Sequence, residues 1–440
     1  MKKSIMLALA GLAMASQAYA QPAPVPWANL LTGPSNVGAI GTTFDARQAN
    51  VVCDGSTDDE GPLNALLAKA GEAARGGSAR SLIYLPPAAQ PCILSRPLTV
   101  PSNVILFAQP GTVTLKPAIS STANVLILAL NAAQNVLIYG IGFDGGFRDS
   151  PPVLSAARLA LIYASQNVIF DHTAFRHSRG IGLEWSNVSN TGVRNSEFVD
   201  IGNYWQQSGR REDRIAALNW DCGDVRNKSI FANDNTITNA GLDSISICNT
   251  DGVTVERNRL FIDTLQYEHI RAPDYPAGIY VVRSSNVLIQ RNLIQGAAGA
   301  CIDVADVANV TITENRGERC GASGAAVAAV QTASISCNAF LNNGRTTVSG
   351  LTKTVQQGGI TLFGPSAHVQ IRSNDLRDDQ ARPSQQWGIQ AVPGSGSIQE
   401  IDIGQDNKLA GNVRGATTQD LQAAIIHGAT PSPNCASLPR

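Results

Sequence analysis

The chain has 440 residues, a formal net charge of -1, 43% apolar residues and 15% charged ones. That length suits one large elongated domain or two ordinary ones, and the near-neutral charge gives no support for nucleic-acid binding. It also argues against a general affinity for polyanions, although a local basic patch can still hold one.

The chain begins with a leader. Met1-Lys2-Lys3 is basic, 5–14 is an apolar run, and Ala18-Tyr19-Ala20 is a small-x-small cleavage site. Residues 1–20 therefore read as a secretory signal peptide, too short and wrongly flanked to be a membrane span. Export to a periplasm or the extracellular space follows, and losing Lys2 and Lys3 takes the net charge from -1 to about -3. No later stretch reaches about 18 uninterrupted apolar residues, so stable membrane insertion is not expected. Residues 21–40 read as an N-terminal extension, 41–412 as the main domain, and 413–440 as a C-terminal cap and tail.

Next comes Cys53-Asp54-Gly55-Ser56-Thr57-Asp58-Asp59, leading into "DEGPLNALLAKAGEAAR" at 59–75. Leu63, Leu66, Leu67 and Ala70 fall at helical spacing, and Leu82-Ile83-Tyr84-Leu85 then reads as a strand. Asp54, Asp58 and Asp59 flank a glycine turn and precede the helix, where carboxylates cap free amides. Calcium is the alternative for this cluster, without EF-hand spacing to support it.

From there the chain repeats. Asn235, Asn258, Asn292, Asn315, Asn338 and Asn374 mark successive copies at separations of 23, 34, 23, 23 and 36 residues. At five of these markers an apolar residue follows two positions later; after Asn315 that place is Gly317. Thr173 and Ser196, also 23 apart, hold the same place with the asparagine replaced. The short interval is a unit and the long ones are that unit plus a loop. Within a unit the apolar period is two, as at Val287 and Ile289 or Val310 and Ile312, so each copy is short strands. The expectation is an all-β, single-stranded right-handed parallel β-helix, a solenoid of one coil per unit, closed by the N-terminal helix. Asparagines stacked in one inward turn of every coil can hydrogen-bond along the stack. Residues 418–426 read as a short C-terminal capping helix, and 341–358 and 393–398 as loops.

Thr43-Phe44-Asp45-Ala46, followed by the Cys53–Asp59 segment and its helix, resembles the N-terminal cap of the pectate-lyase-like superfamily. The coil pattern extends the resemblance over most of 41–412. It implies a secreted β-helix that commonly acts on polysaccharide as hydrolase, lyase, epimerase or transferase; phage tailspikes share the architecture. The shared motif is structural and assigns no reaction.

Small residues anchor one strand per coil: Gly180, Ala217, Gly241, Gly278, Gly359 and Gly388, with Ala300 opening the coil between Gly278 and Gly359. In this frame Glu184 and Asp221 occupy equivalent outward positions of neighbouring coils, with Asp243 outward one coil further on. Three clustered carboxylates raise the proton affinity of one member, the equipment of paired-carboxylate glycosidic cleavage. Asp221 and Asp243 resemble the carboxylate spacing of polygalacturonase-type hydrolases. A serine, Ser244, stands where those enzymes have a second aspartate, and their Gly-His-Gly and Arg-x-Lys motifs are missing.

The long intervals add Tyr204, Trp205, Arg210, Arg211 and Arg214, then Tyr267, Glu268, His269, Arg271, Tyr275 and Arg283. Aromatic rings suit sugar faces and arginine suits hydroxyls or carboxylates. Trp205, Tyr267, Glu268, His269, Arg271, Tyr280, Arg283 and Asp303 are the candidate auxiliary or substrate-binding residues. A uronate lyase or C5-epimerase, using His269, a tyrosine or an arginine as base, is the rival chemistry. In that case calcium can be held by Glu184, Asp221 and Asp243; otherwise no cofactor is expected. A third alternative is a glycan-binding adhesin or spike, and monomer and homotrimer both stay open. His172 and His177 have no metal-pair spacing and read as loop hydrogen-bonding groups. The eight cysteines allow over a hundred pairings. The scaffold favours Cys222–Cys248 from stacked coils and Cys53–Cys92 at the cap, then Cys301–Cys320 and Cys337–Cys435.

Overall fold

The computed structural model describes residues 39–77, 79–118, 126–146, 158–178, 180–202, 216–262, 276–345, 357–392, 395–421, 435 and 438–439. The expected signal peptide and nearly all of the extension lie outside them.

Each coil carries three short strands. Ile181–Ser186, Ser189–Arg194 and Glu197–Ile201 form one coil, and Asp243–Cys248, Thr250–Glu256 and Arg259–Phe261 another. Further along, the first two strands fuse into single runs, Ile279–Gln290, Ile302–Thr313 and Ala325–Ser336. Like strands of successive coils pair in parallel, so the chain builds three lengthwise sheets, here called the first, second and third faces. Alternating side chains fill the inside. Leu183, Leu218, Ile245, Ile279 and Ile302 form one fully buried inward row of the first face. Beside it the Trp185 and Trp220 rings stack at 4.3 Å with 3° between planes. On the third face Phe143, Phe175 and Phe198 stack at 4.8 Å in succession.

The asparagine spacing has a direct cause. From Asn235 through Asn258, Asn292, Asn315, Asn338 and Asn374 to Asn407, each Nδ2 donates to the next Oδ1 at 2.9–3.0 Å. The same oxygens accept the backbone N–H of the preceding asparagine at 2.9–3.0 Å. Ser196 N–H donates to Asn235 Oδ1, and Thr173 N–H to Ser196 Oγ, so the hydroxyl residues continue the column with shorter side chains. Asn407, missed in the sequence, ends the column; Leu409 two residues later was its signal. Immediately before every ladder asparagine except Asn407 the chain turns through a left-handed conformation, at Asp234, Arg257, Arg291, Glu314, Cys337 and Ser373 (φ 53° to 59°). None is glycine, so the ladder bonds offset the strain of that corner.

Gly317 breaks the apolar pattern for a packing reason. A Cβ there would stand 2.8 Å from Cys301 Sγ and 2.8 Å from the Phe340 ring. The Cys301–Cys320 disulfide fills the core slot that a side chain takes in other coils. Cys53–Cys92, Cys222–Cys248 and Cys337–Cys435 are also joined, the pairings favoured in the sequence.

Helix α1 (Glu60–Ala73) covers the N-terminal end with Leu63, Leu66, Leu67 and Ala70 buried. Its acidic approach is spent on amides. Asp59 accepts from Val52 and Cys53, Asp58 from Glu60 and Ser95, and Asp54 from Ser56 and Thr57. The Thr57 and Ser56 donors hold the exposed Asp54 carboxyl far below the usual range. Cys53, Asp59 and Cys92 lie close enough to share an ion, but both sulfurs are committed to the disulfide. At the other end the described part of the expected helix is one 3-10 turn, Gln419–Leu421. No helix among the described residues is long and apolar enough to cross a membrane.

Asn292 sits mid-ladder with no exposure. Asn292→Ala removes the acceptor of the Asn258 backbone N–H and one of the two acceptors of its Nδ2, and should cost about 3 kcal/mol in denaturant unfolding. Asn309→Ala, on an exposed side chain donating to Asn286, should change stability by less than about 0.5 kcal/mol.

Candidate functional site

Register decides which polar side chains meet on the outer side of the first face. Leu183 pairs with Leu218, so Glu184 pairs with Asn219 and not with Asp221. Asn219 then aligns with Ser246, Ser246 with Tyr280, and Tyr280 with Asp303. The small residues that share a register position are Gly182, Ala217, Ser244, Gly278 and Cys301, one residue before the inward Leu/Ile row. The sequence frame is therefore off by two at Gly180, by three at Gly241 and by one at Ala300. A slip of two keeps a residue on its face, whereas a slip of three exchanges faces.

Those slips redistribute the three carboxylates. Glu184 stays outward, and Asp221 stays outward one coil on but two residues further along, a backbone offset of about 8 Å. Asp243 aligns with Ala216 and has the parity of Ile245 and Ile247. It lies two coils and three residues from Glu184, about 14 Å away, and its Oδ1 accepts the Ala277 N–H at 2.7 Å. The expected cluster of three thus reduces to a pair, with Asp243 tying down the entry to the next coil.

The environments of the pair differ. Glu184 is 5% exposed and forms an ion pair with Arg158, at the start of the strand in the coil below. Asp221 is exposed, with Oδ1 accepting the Cys222 N–H at 2.7 Å. Between and beyond them the outward column is polar yet covered: Asn219 is 5% exposed and Ser246 1%. The hydroxyls of Ser244 and Ser246 have no hydrogen-bond partner among the described residues. Buried polar atoms in native folds are normally satisfied, so these two hydroxyls stand out within the column.

Tyr280 and Asp303 continue the column as half-buried neighbours about 5 Å apart at the backbone. Arg283 stands at the corner after the first face, where its guanidinium donates to Cys248 Sγ at 3.2 Å, in the lengthwise row that carries Asp221. Trp205, Tyr267, Glu268, His269 and Arg271 lie outside the described residues, as do Tyr204, Arg210, Arg211, Arg214 and Tyr275. Trp185 and Trp220 are core residues.

The two histidines make the hydrogen bonds expected of them. His177 Nδ1 is 3.0 Å from Asp144 Oδ1. His172 Nδ1 is 2.7 Å from Asp171 Oδ1, which also accepts from Asn195 Nδ2, while Arg194 Nε donates to Asp171 Oδ2 at 2.9 Å. Burial alone would raise the Asp171 carboxyl, but the His172 and Asn195 bonds and the Arg194 charge outweigh it and hold it below its usual range.

The region from 225 to 376 matches the family model described as the right-handed beta helix region. The chain has a right-handed parallel β-helix fold. Among solved structures, this β-helix is similar to the A-module of the mannuronan C-5 epimerase AlgE6 of Azotobacter vinelandii. The two are 16% identical with a TM-score of 0.63, over 88% of this chain and 100% of that one. The Streptococcus pneumoniae surface adhesin PfbA is 13% identical with a TM-score of 0.53, over 83% of this chain and 91% of that one. The enzymatically active domain of bacteriophage CBA120 tailspike protein 2 is 10% identical with a TM-score of 0.52, over 83% and 47% of the respective chains. No curated protein matches the sequence. At these identities the likeness establishes the β-helix alone.

Because the folded-state value of Asp171 is lowered, its stabilisation is present above the unfolded value of about 3.9 and is lost as pH falls through the folded one. Asp171→Asn should therefore cost about 2 kcal/mol at pH 7, and the difference from wild type should close below about pH 4 in unfolding measurements.

Proposed function

We propose that this β-helix is an exported enzyme that cleaves or transfers at a glycosidic bond of a polysaccharide or oligosaccharide. The observation that carries the reading is the pair of carboxylates in unlike surroundings, Glu184 covered and held by Arg158, Asp221 open to solvent. Two carboxyls in different environments divide into the two roles that glycosidic cleavage needs. Arg158 neutralises Glu184 and fixes it as the base or nucleophile. Asp221, reaching the same side from the next coil, is the second carboxyl of the pair. A backbone offset of about 8 Å leaves room for a water between the carboxyls, the arrangement of an inverting enzyme.

A second reading is favoured by Tyr280 and Asp303, which place a phenol beside a carboxylate in the same column. A uronate lyase or C5-epimerase abstracts a proton next to a carboxylate, and a phenol can exchange it.

The reactions separate by product. On a polysaccharide panel, Glu184→Gln and Asp221→Asn should each lower turnover by about 1,000-fold or more while binding stays within about threefold. Asp243→Asn, outside the pair, should keep turnover within about threefold of wild type. New reducing ends of inverted anomeric configuration, read by NMR, are the expected products. An ultraviolet-absorbing unsaturated product that disappears in Tyr280→Phe and persists in Glu184→Gln would transfer the chemistry to the second reading. Glycan binding with no product from any variant would make the protein an adhesin.

A further inference from the structure

A cavity of about 280 Å³ opens on the third face, near the ends of the strands Thr236–Ala240, Arg259–Phe261 and Leu293–Gln295. Its lining includes Thr238, Asn239, Phe261, Gln295, Arg319 and Arg345. The volume is that of a small ligand site, enough for about one sugar ring. Phe261 is half-buried and offers a flat apolar surface beside amide and hydroxyl groups.

The two arginines give the cavity its character. Several stacked charges on this solenoid face a partner in the next coil, Arg257 with Asp234, Arg291 with Glu314 and Arg176 with Glu197. Arg319 and Arg345 are exposed, and neither has a carboxylate within ion-pair distance among the described residues. The coil neighbours of Arg319 in register are Gly296 and Asn342, neither of them acidic. Two acids lie close by, and both are engaged elsewhere. Glu318 pairs with Arg316 and accepts from Gln295, and Asp200 accepts from Asn239. The Arg345 backbone N–H is held by the Cys320 carbonyl at 3.4 Å, which fixes the chain that carries the second guanidinium to the coil of the first.

We propose that this cavity binds an oxyanion carried on a sugar, the carboxylate of a uronate residue, with the ring against Phe261 and the carboxylate between Arg319 and Arg345. Paired guanidinium groups match the fork of a carboxylate, and one sugar residue fits the volume. The site lies on a different face from Glu184 and Asp221, at the corner where the third-face strands turn toward the first face. It makes the acidic sugar a determinant of which glycan is held, independent of the bond-breaking pair. The proposal rests on the reading that the ligand is a glycan, and adds to it the charge of one residue.

Calorimetric titration of the full chain with tetragalacturonate and with its methyl-esterified form tests this. The free acid should bind at least about tenfold tighter than the ester, with the advantage shrinking as sodium chloride rises. Arg319→Ala and Arg345→Ala should each weaken the acid at least about fivefold at an unchanged melting temperature, and leave the ester unaffected. Equal affinity for acid and ester, or a double variant that binds the acid as tightly as wild type, would overturn the proposal. So would a sulfated oligosaccharide held more than about tenfold tighter than the uronate. The outcome is separable from the catalytic reading. Arginine variants that weaken the acid while Glu184→Gln turns over normally would leave the cavity assigned and the carboxylate pair wrong, and the reverse pattern would do the opposite.

Discussion

The buried amide ladder from Asn235 to Asn407 is the constraint on which the structure depends. Each rung uses both donors and the acceptor oxygen of one side chain, on the next rung, on the backbone of the preceding one, and on carbonyls such as Val255 and Ile289. A chain that slipped by one residue would put a charged or branched side chain where the amide belongs and leave several buried groups unpaired at once. The ladder also holds a non-glycine residue in a left-handed corner in coil after coil, a conformation that disfavours side chains by roughly 1–2 kcal/mol each. Corner and ladder are therefore one device, and the strand positions on all three faces follow from it. Whatever chemistry the first face carries is positioned by hydrogen bonds on another side of the coil.

Legibility in the sequence follows the same division. The ladder is visible because asparagine at a steady interval has no local reason to recur, and alternating Val and Ile give the strands away. Cysteines could be paired because coil neighbours are predictable once the unit is known. Register on the first face was not legible, and the reason is physical. Gly180-Ile181-Gly182 offers two small residues at the period of the pleat itself, so a two-residue slip leaves every inward and outward assignment intact. Around Gly241 the available small residues are Gly241 and Ser244, an odd distance apart, and choosing the wrong one reversed the face of Asp243. The ladder could not arbitrate across the long intervals, since there the number of residues between each asparagine and the next first-face strand is altered by loops of different length. Asn219 and Ser246 were overlooked because uncharged side chains in an alternating strand look like ordinary outer-surface residues until their burial is known.

A covered polar column on its outer side distinguishes this stretch of the first face from the second face further along the coils. On the second face the outward positions Thr254, Leu288 and Thr311 are half-exposed, as a solvated sheet should be. Glu184, Asn219 and Ser246, equally outward in parity, are nearly inaccessible. Burying a carboxylate beside hydroxyls that have no partner among the described residues is unfavourable without compensation, and the Arg158 ion pair offsets only part of it. Such a local violation of the rules that the rest of the coil obeys is the usual mark of a site kept for function.

Charge on the remaining surface obeys an equally simple rule, imposed by stacking. In a solenoid the nearest neighbours of a side chain are those at the same position of the coils above and below, about 4.8 Å away at the backbone. Unscreened like charges at that spacing repel, so stacked charges alternate in sign or pair locally, as Asp234, Arg257, Arg291 and Glu314 do along the ladder corner. Individually these exposed pairs contribute little stability. Arg319 follows Gly296 and precedes Asn342 in its column, and Arg345 leaves the coil beside it, so two positive charges accumulate where the stacking rule would have supplied an acid. Among the described residues that pair beside a cavity has no acidic partner, and the proposed ligand supplies the negative charge.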